Sequence, residues 1–125
     1  MKTAATIAVF CAGGGLTRYY LSGWVYSQLG RSFPYGTFVV NIIGAYFIGL
    51  IMELSLASTL ISDTLRLGLS VGFMGGLTTF STFSYETYKL LEDGQFLLAL
   101  LNVLASVTVC LFFTWLGIIS VRAIT

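Results

Sequence analysis

The sequence predicts an all-α integral membrane protein of four transmembrane helices, the third broken near its middle. Three observations carry that prediction. Hydrophobic residues make up 57% of the chain and charged ones 9%, with a mean hydropathy of +0.93, against roughly 25% charged in an ordinary soluble domain. The 125 residues, at roughly 20 per spanning helix, divide into four spans with short connections and leave no separate soluble domain. The stretch Gly72 to Glu86 places two adjacent glycines before five hydroxyls interleaved with two phenylalanines. Such a segment makes a poor lipid-facing helix, because glycine loosens it and each hydroxyl wants a partner. Irregular backbone at membrane depth persists only against protein or water.

Composition also excludes function classes. A formal charge of +1 gives nucleic acid nothing to bind. With no histidine, the commonest general base and metal ligand is missing. No nucleophile and base stand in an arrangement for covalent catalysis, and no phosphate loop or metal-ligand spacing occurs, so an enzyme is not expected. Cys11 and Cys110 both fall in apolar segments and are read as buried free thiols.

The first span is expected over residues 4–29. It runs through three glycines to Tyr26 without a small-x-small cleavage site, so it is read as a retained span and not a secretory signal. Gly13, Gly14 and Gly15 suit close helix packing. Arg18 either lines an anion vestibule or snorkels to the interface. Pro34 opens the second span, 35–58, as a first-turn proline sacrifices no helical hydrogen bond. Thr37 and Asn41 stand four apart on one face. Asn41 either bridges two helices or points its amide into a pore, and Glu53 lies near the far interface.

The third span, 65–91, contains the glycine-hydroxyl stretch, and a break at Gly75 to Thr78 would expose carbonyls that normally continue the helical ladder. If the helix resumes after Gly76, Phe80 and Phe83 share one face, with Thr79, Thr82 and Glu86 on the adjacent one. Hydroxyls often bond back to the preceding turn and phenylalanines usually pack, but here glycines, hydroxyls and an acid coincide in few positions. The fourth span, 96–121, repeats Asn102, Ser106, Cys110 and Thr114 at spacing four, as either an interhelical seam or a second pore wall.

Four spans put Lys2, Arg66 and Arg122 on one side and Arg31 and Lys89 on the other. A three-to-two split gives the positive-inside rule almost nothing to act on. A chain inserted both ways could form an antiparallel dual-topology homodimer, which would bring two copies of the break together near the midplane.

Three elements together, Gly-Thr-Phe-Val-Val-Asn at 36–41, Gly-Gly-Leu-Thr-Thr-Phe-Ser-Thr-Phe-Ser at 75–84 with Glu86 following, and Arg18 at the end of the glycine-rich first span, closely resemble the Fluc family of fluoride channels, also called CrcB-like. The resemblance covers essentially the whole chain. It implies passive export of cytoplasmic fluoride across the bacterial cytoplasmic (inner) membrane, through two pores of an antiparallel homodimer embedded in the lipid bilayer. By position Phe80 and Phe83 look like the family's pore phenylalanines and Asn41 like its pore donor. Ser81 and Thr82 look like its hydroxyl track, and Ser106 and Asn102 match the fourth-span track. Thr37 is placed with the pore residues, and Arg18 and Glu86 with the vestibule. The carbonyls of Gly75 and Thr78 resemble ligands of a structural sodium ion on the dimer axis. Two other readings compete: a proton-coupled transporter relying on Glu53 or Glu86, and a non-transporting assembly subunit.

Overall fold

Four stretches of the chain become helical in the computed structural model, which describes all 125 residues and contains no strand. The first is α1, Lys2–Leu29. Its hydroxyls look after themselves: Thr6, Thr17 and Ser22 each donate to the carbonyl four residues back. It stops at Gly30, whose φ of +82° favours glycine.

Pro34 precedes α2, Tyr35–Ala57. Together with the last helix, α6 (Phe96–Arg122), it is long and apolar enough to cross a bilayer, with mean hydropathies of 1.9 and 2.5 over their best windows. The two pack closely. A Cβ on Gly49 would run into the Thr114 carbonyl, and one on Gly117 into the Tyr46 carbonyl, so small residues let the backbones meet. At the end of this seam Arg122 Nε donates to Glu53 Oε1 at 2.7 Å. This ties the two C-terminal ends and sets the helices running the same way.

The third stretch is the irregular one. It begins with the short α3, Asp63–Leu67, capped by Ser62, whose Oγ accepts from Leu65 N at 3.2 Å. It widens into a π-helical stretch, Gly68–Met74, and ends in one α-helical turn, α4, Gly75–Leu77. Thr78 (φ −90°, ψ 158°) and Thr79 (φ −152°, ψ 121°) are extended. The helix then resumes as α5, Phe80–Glu92.

The extended residues thus overlap only the far end of the break expected at Gly75 to Thr78, and the helix restarts at Phe80, not after Gly76. Gly75 sits in ordinary right-handed geometry (φ −62°, ψ −37°). The reason is packing. The space beside Gly76 holds the Cys11 carbonyl, and that beside Gly14 holds the Phe73 carbonyl, so these glycines bring α1 against the third stretch and loosen nothing. The chain opens instead at two β-branched residues, which favour extended backbone. Val40, Ile51, Met74 and Leu77 form the buried core beside the break, with Leu21 and Phe73 packed on it. Both cysteines are free, as the sequence suggested, but Cys11 is exposed on the single chain and Cys110 only half-buried.

Candidate functional site

A helix cannot simply stop inside a packed core, since its orphaned amides and carbonyls need partners. Here α2 supplies them. Asn41 Oδ1 accepts from Thr79 N at 2.8 Å, and Asn41 Nδ2 donates to Thr79 O at 3.1 Å. In an unbroken helix Thr79 N would bond the Gly75 carbonyl. Thr78 N goes to Met74 O, so Gly75 O loses its usual donor. The same happens one turn on. Thr79 caps α5, its Oγ1 accepting from Thr82 N at 3.1 Å, and the Thr78 carbonyl is deprived of that amide. The carbonyls of Gly75 and Thr78 are thus freed from the ladder, as are those of Gly76 and Leu77, because neither Phe80 N nor Ser81 N bonds back across the break.

Two cavities lie back to back across this break. The first, about 450 Å³, collects Asn41, Gly75, Thr78, Phe80, Phe83 and Ser106, with Cys110 and Thr114 of the fourth-span stripe. The Phe80 and Phe83 rings lie 5.5 Å apart and tilted by 44°, and Phe80 is 78% exposed. The second, about 440 Å³, collects Arg18, Thr37, Thr82 and Glu86 with Tyr26 and Arg31. Thr79 lines both.

Electrostatically the second cavity holds two guanidinium groups, Arg18 and Arg31, neither in an ion pair. Its one carboxylate, Glu86, is held from two sides. Tyr26 Oη donates to Glu86 Oε2 at 2.6 Å, and Thr37 Oγ1 donates to Glu86 Oε1. The Arg31 guanidinium sits 4.5 Å from the Tyr26 ring centre, a cation–π distance.

Two predicted residues line neither cavity. Ser81 Oγ lies 3.3 Å from Thr79 Oγ1, and Asn102, 1% exposed, donates to Thr87 Oγ1 at 2.8 Å and accepts from Ser106 Oγ at 3.4 Å. Asn102 thus seals the seam between α5 and α6. Glu53 is far from the break, engaged by Arg122.

Sequence reasoning left four contributors out of the candidate site, although it placed Thr79 on a polar face and Arg31 at a span end. Thr79 was legible, as a threonine directly before a helix is a favoured cap. Tyr26, Arg31 and Thr87 carried no local signal, because their partners come from distant stretches.

The family described as "CrcB-like protein, Camphor Resistance (CrcB)" matches residues 5–118. Among similar curated proteins, one from Trichlorobacter lovleyi is 81% identical over 99% of both chains. One from Pelobacter propionicus is 75% identical over 99% of this chain and 96% of its own, and one from Geotalea daltonii 68% identical over 99% and 100%. All three carry the name "Fluoride-specific ion channel FluC". Matched along nearly its whole length, the chain belongs to the CrcB-like, or Fluc, family.

Proposed function

We propose that this protein is a passive, fluoride-selective channel of the bacterial cytoplasmic membrane, and not an enzyme or a coupled carrier. It works as an antiparallel homodimer of four-span subunits and lets cytoplasmic fluoride out. The identity of the ion follows the names of its relatives. The observation that carries the channel reading is the clamped break, which sets neutral donors and two arginines along cavities on both of its sides. An anion that sheds water needs replacement donors that do not hold it too tightly. Hydroxyls, an amide and the positive edges of aromatic rings are of that kind.

Support for the dimer comes from what one chain leaves bare. The cavity carrying Phe80 and Phe83 is open, and Phe80 lies mostly uncovered, so a second copy is needed to complete the wall. Gly75 is exposed as well. Its freed carbonyl and that of Thr78 are hard neutral oxygens, a donor set suited to a monovalent hard cation. Two from each subunit would hold a structural sodium ion where the copies meet. The four spans are α1, α2, the broken third stretch with α5, and α6.

The test is fluoride efflux from liposomes containing the purified protein, with chloride as control. Efflux down the fluoride gradient alone is expected, with F80I and F83I each losing most of it while still forming dimers. Flux that appears only under a proton gradient overturns the passive channel. No flux at all, with F80I and F83I affecting stability alone, favours the assembly subunit.

A further inference from the structure

We propose that Tyr26 is a positioning residue that holds the Glu86 carboxylate away from the anion's donors. The proposal rests on the channel reading and goes beyond it. Glu86 lines the vestibule with Arg18 and Thr82, and it is the group there most able to compete with a passing anion, since a carboxylate seeks the same guanidinium and hydroxyl donors. The structure turns it aside. Each carboxylate oxygen takes one hydroxyl, from Tyr26 on α1 and Thr37 on α2, which leaves Arg18 unpaired and the Thr82 hydroxyl, which accepts from Thr79 Oγ1 at 3.1 Å, free to donate.

The tyrosine is itself fixed. A Cβ on Gly36 would meet the Tyr26 ring edge and the Ser22 carbonyl, so only glycine there leaves room for the ring. The Arg31 guanidinium lies over the ring face at 4.5 Å. Tyr26 and Glu86 lie 60 residues apart in sequence, and nothing in the packing of α1 requires a hydroxyl at position 26. The phenol oxygen meets only Glu86 and, at 3.4 Å, Thr37. With that hydroxyl gone, Glu86 Oε2 has no partner, Thr37 alone holds the carboxylate through Oε1, and the freed oxygen can turn toward Thr82, one turn back on its own helix, and Arg18.

The experiment pairs flux with infrared spectroscopy on the full-length protein in liposomes, using Y26F and G36A. G36A keeps the hydroxyl but displaces the ring that carries it. The Glu86 carboxyl stretch is isolated as the difference from E86Q. The band is expected to shift in both variants, and fluoride efflux in Y26F to fall about tenfold, the lower end of what one hydroxyl bond to a carboxylate is worth. A band that stays put in Y26F overturns the positioning role even where wild-type flux is normal. So does a shifted band with unchanged flux. Absence of flux from the wild type instead overturns the channel reading, whatever the band does.

Discussion

Asn41 shows how much one side chain can decide. Its amide replaces two helical hydrogen bonds at once, and the residue it serves, Thr79, is 8% exposed. N41A is expected to cost roughly 2–4 kcal/mol, as two buried backbone groups lose their partners. It should also abolish fluoride flux. N41D keeps an acceptor for Thr79 N but sets an oxygen against Thr79 O, so it should lose flux with a smaller loss of stability. Urea unfolding in detergent beside liposome efflux checks both, and an N41A protein as stable as wild type would contradict the clamp. In the sequence the residue stood out, but its role stayed open between bridge and pore donor, since spacing along α2 says nothing about what faces it. Tyr26 did not stand out at all. It is one of 7 tyrosines, and its partner comes from another helix.

Among the elements, the third stretch shows where pattern reading reaches and where it stops. That it would be irregular followed from glycines and hydroxyls crowding an apolar run. Where it would open followed only in part, reaching Thr78 but not Thr79, because glycine signals both looseness and close packing, and only the neighbouring helix decides which. The triple glycine of α1 makes the same point. A Cβ on Gly14 would strike the Phe73 carbonyl, whereas one on Gly15 would meet nothing within 4 Å. G14A is therefore expected to destabilise by about 1–3 kcal/mol through overpacking, and G15A to stay within about 0.5 kcal/mol. Thermal unfolding of the two variants in one detergent compares them directly. T79V, which removes the cap of α5, should cost about 1 kcal/mol in the same assay.

For the whole molecule, the near balance of charge between the two ends is the governing fact. In the proposed four-span arrangement Lys2, Arg66 and Arg122 against Arg31 and Lys89 leave orientation almost undirected, and the proposed second copy would cover the bare face around Phe80 and Gly75. Two or three lysines added at either end should force one orientation. Each forced variant alone should conduct no fluoride, and the oppositely biased pair, expressed together, should recover it. Conduction by either variant alone would sink the antiparallel assembly. The all-helical, membrane-capable character was legible because hydropathy and length act locally, while the cavity around Arg18 was not, since α1, the loop at Arg31, α2 and α5 each contribute to it.

That α2 holds the break open has a bearing on how the chain is made. The amide of Asn41 leaves the ribosome before Thr79 does, so the third stretch meets its splint already in the bilayer. A peptide of residues 63–92 inserted alone should heal into one continuous helix, with the Thr79 amide slow to exchange against Gly75. Adding residues 35–57 as a second peptide should reopen it, and a fragment that stays bent without them would show the bend to be its own.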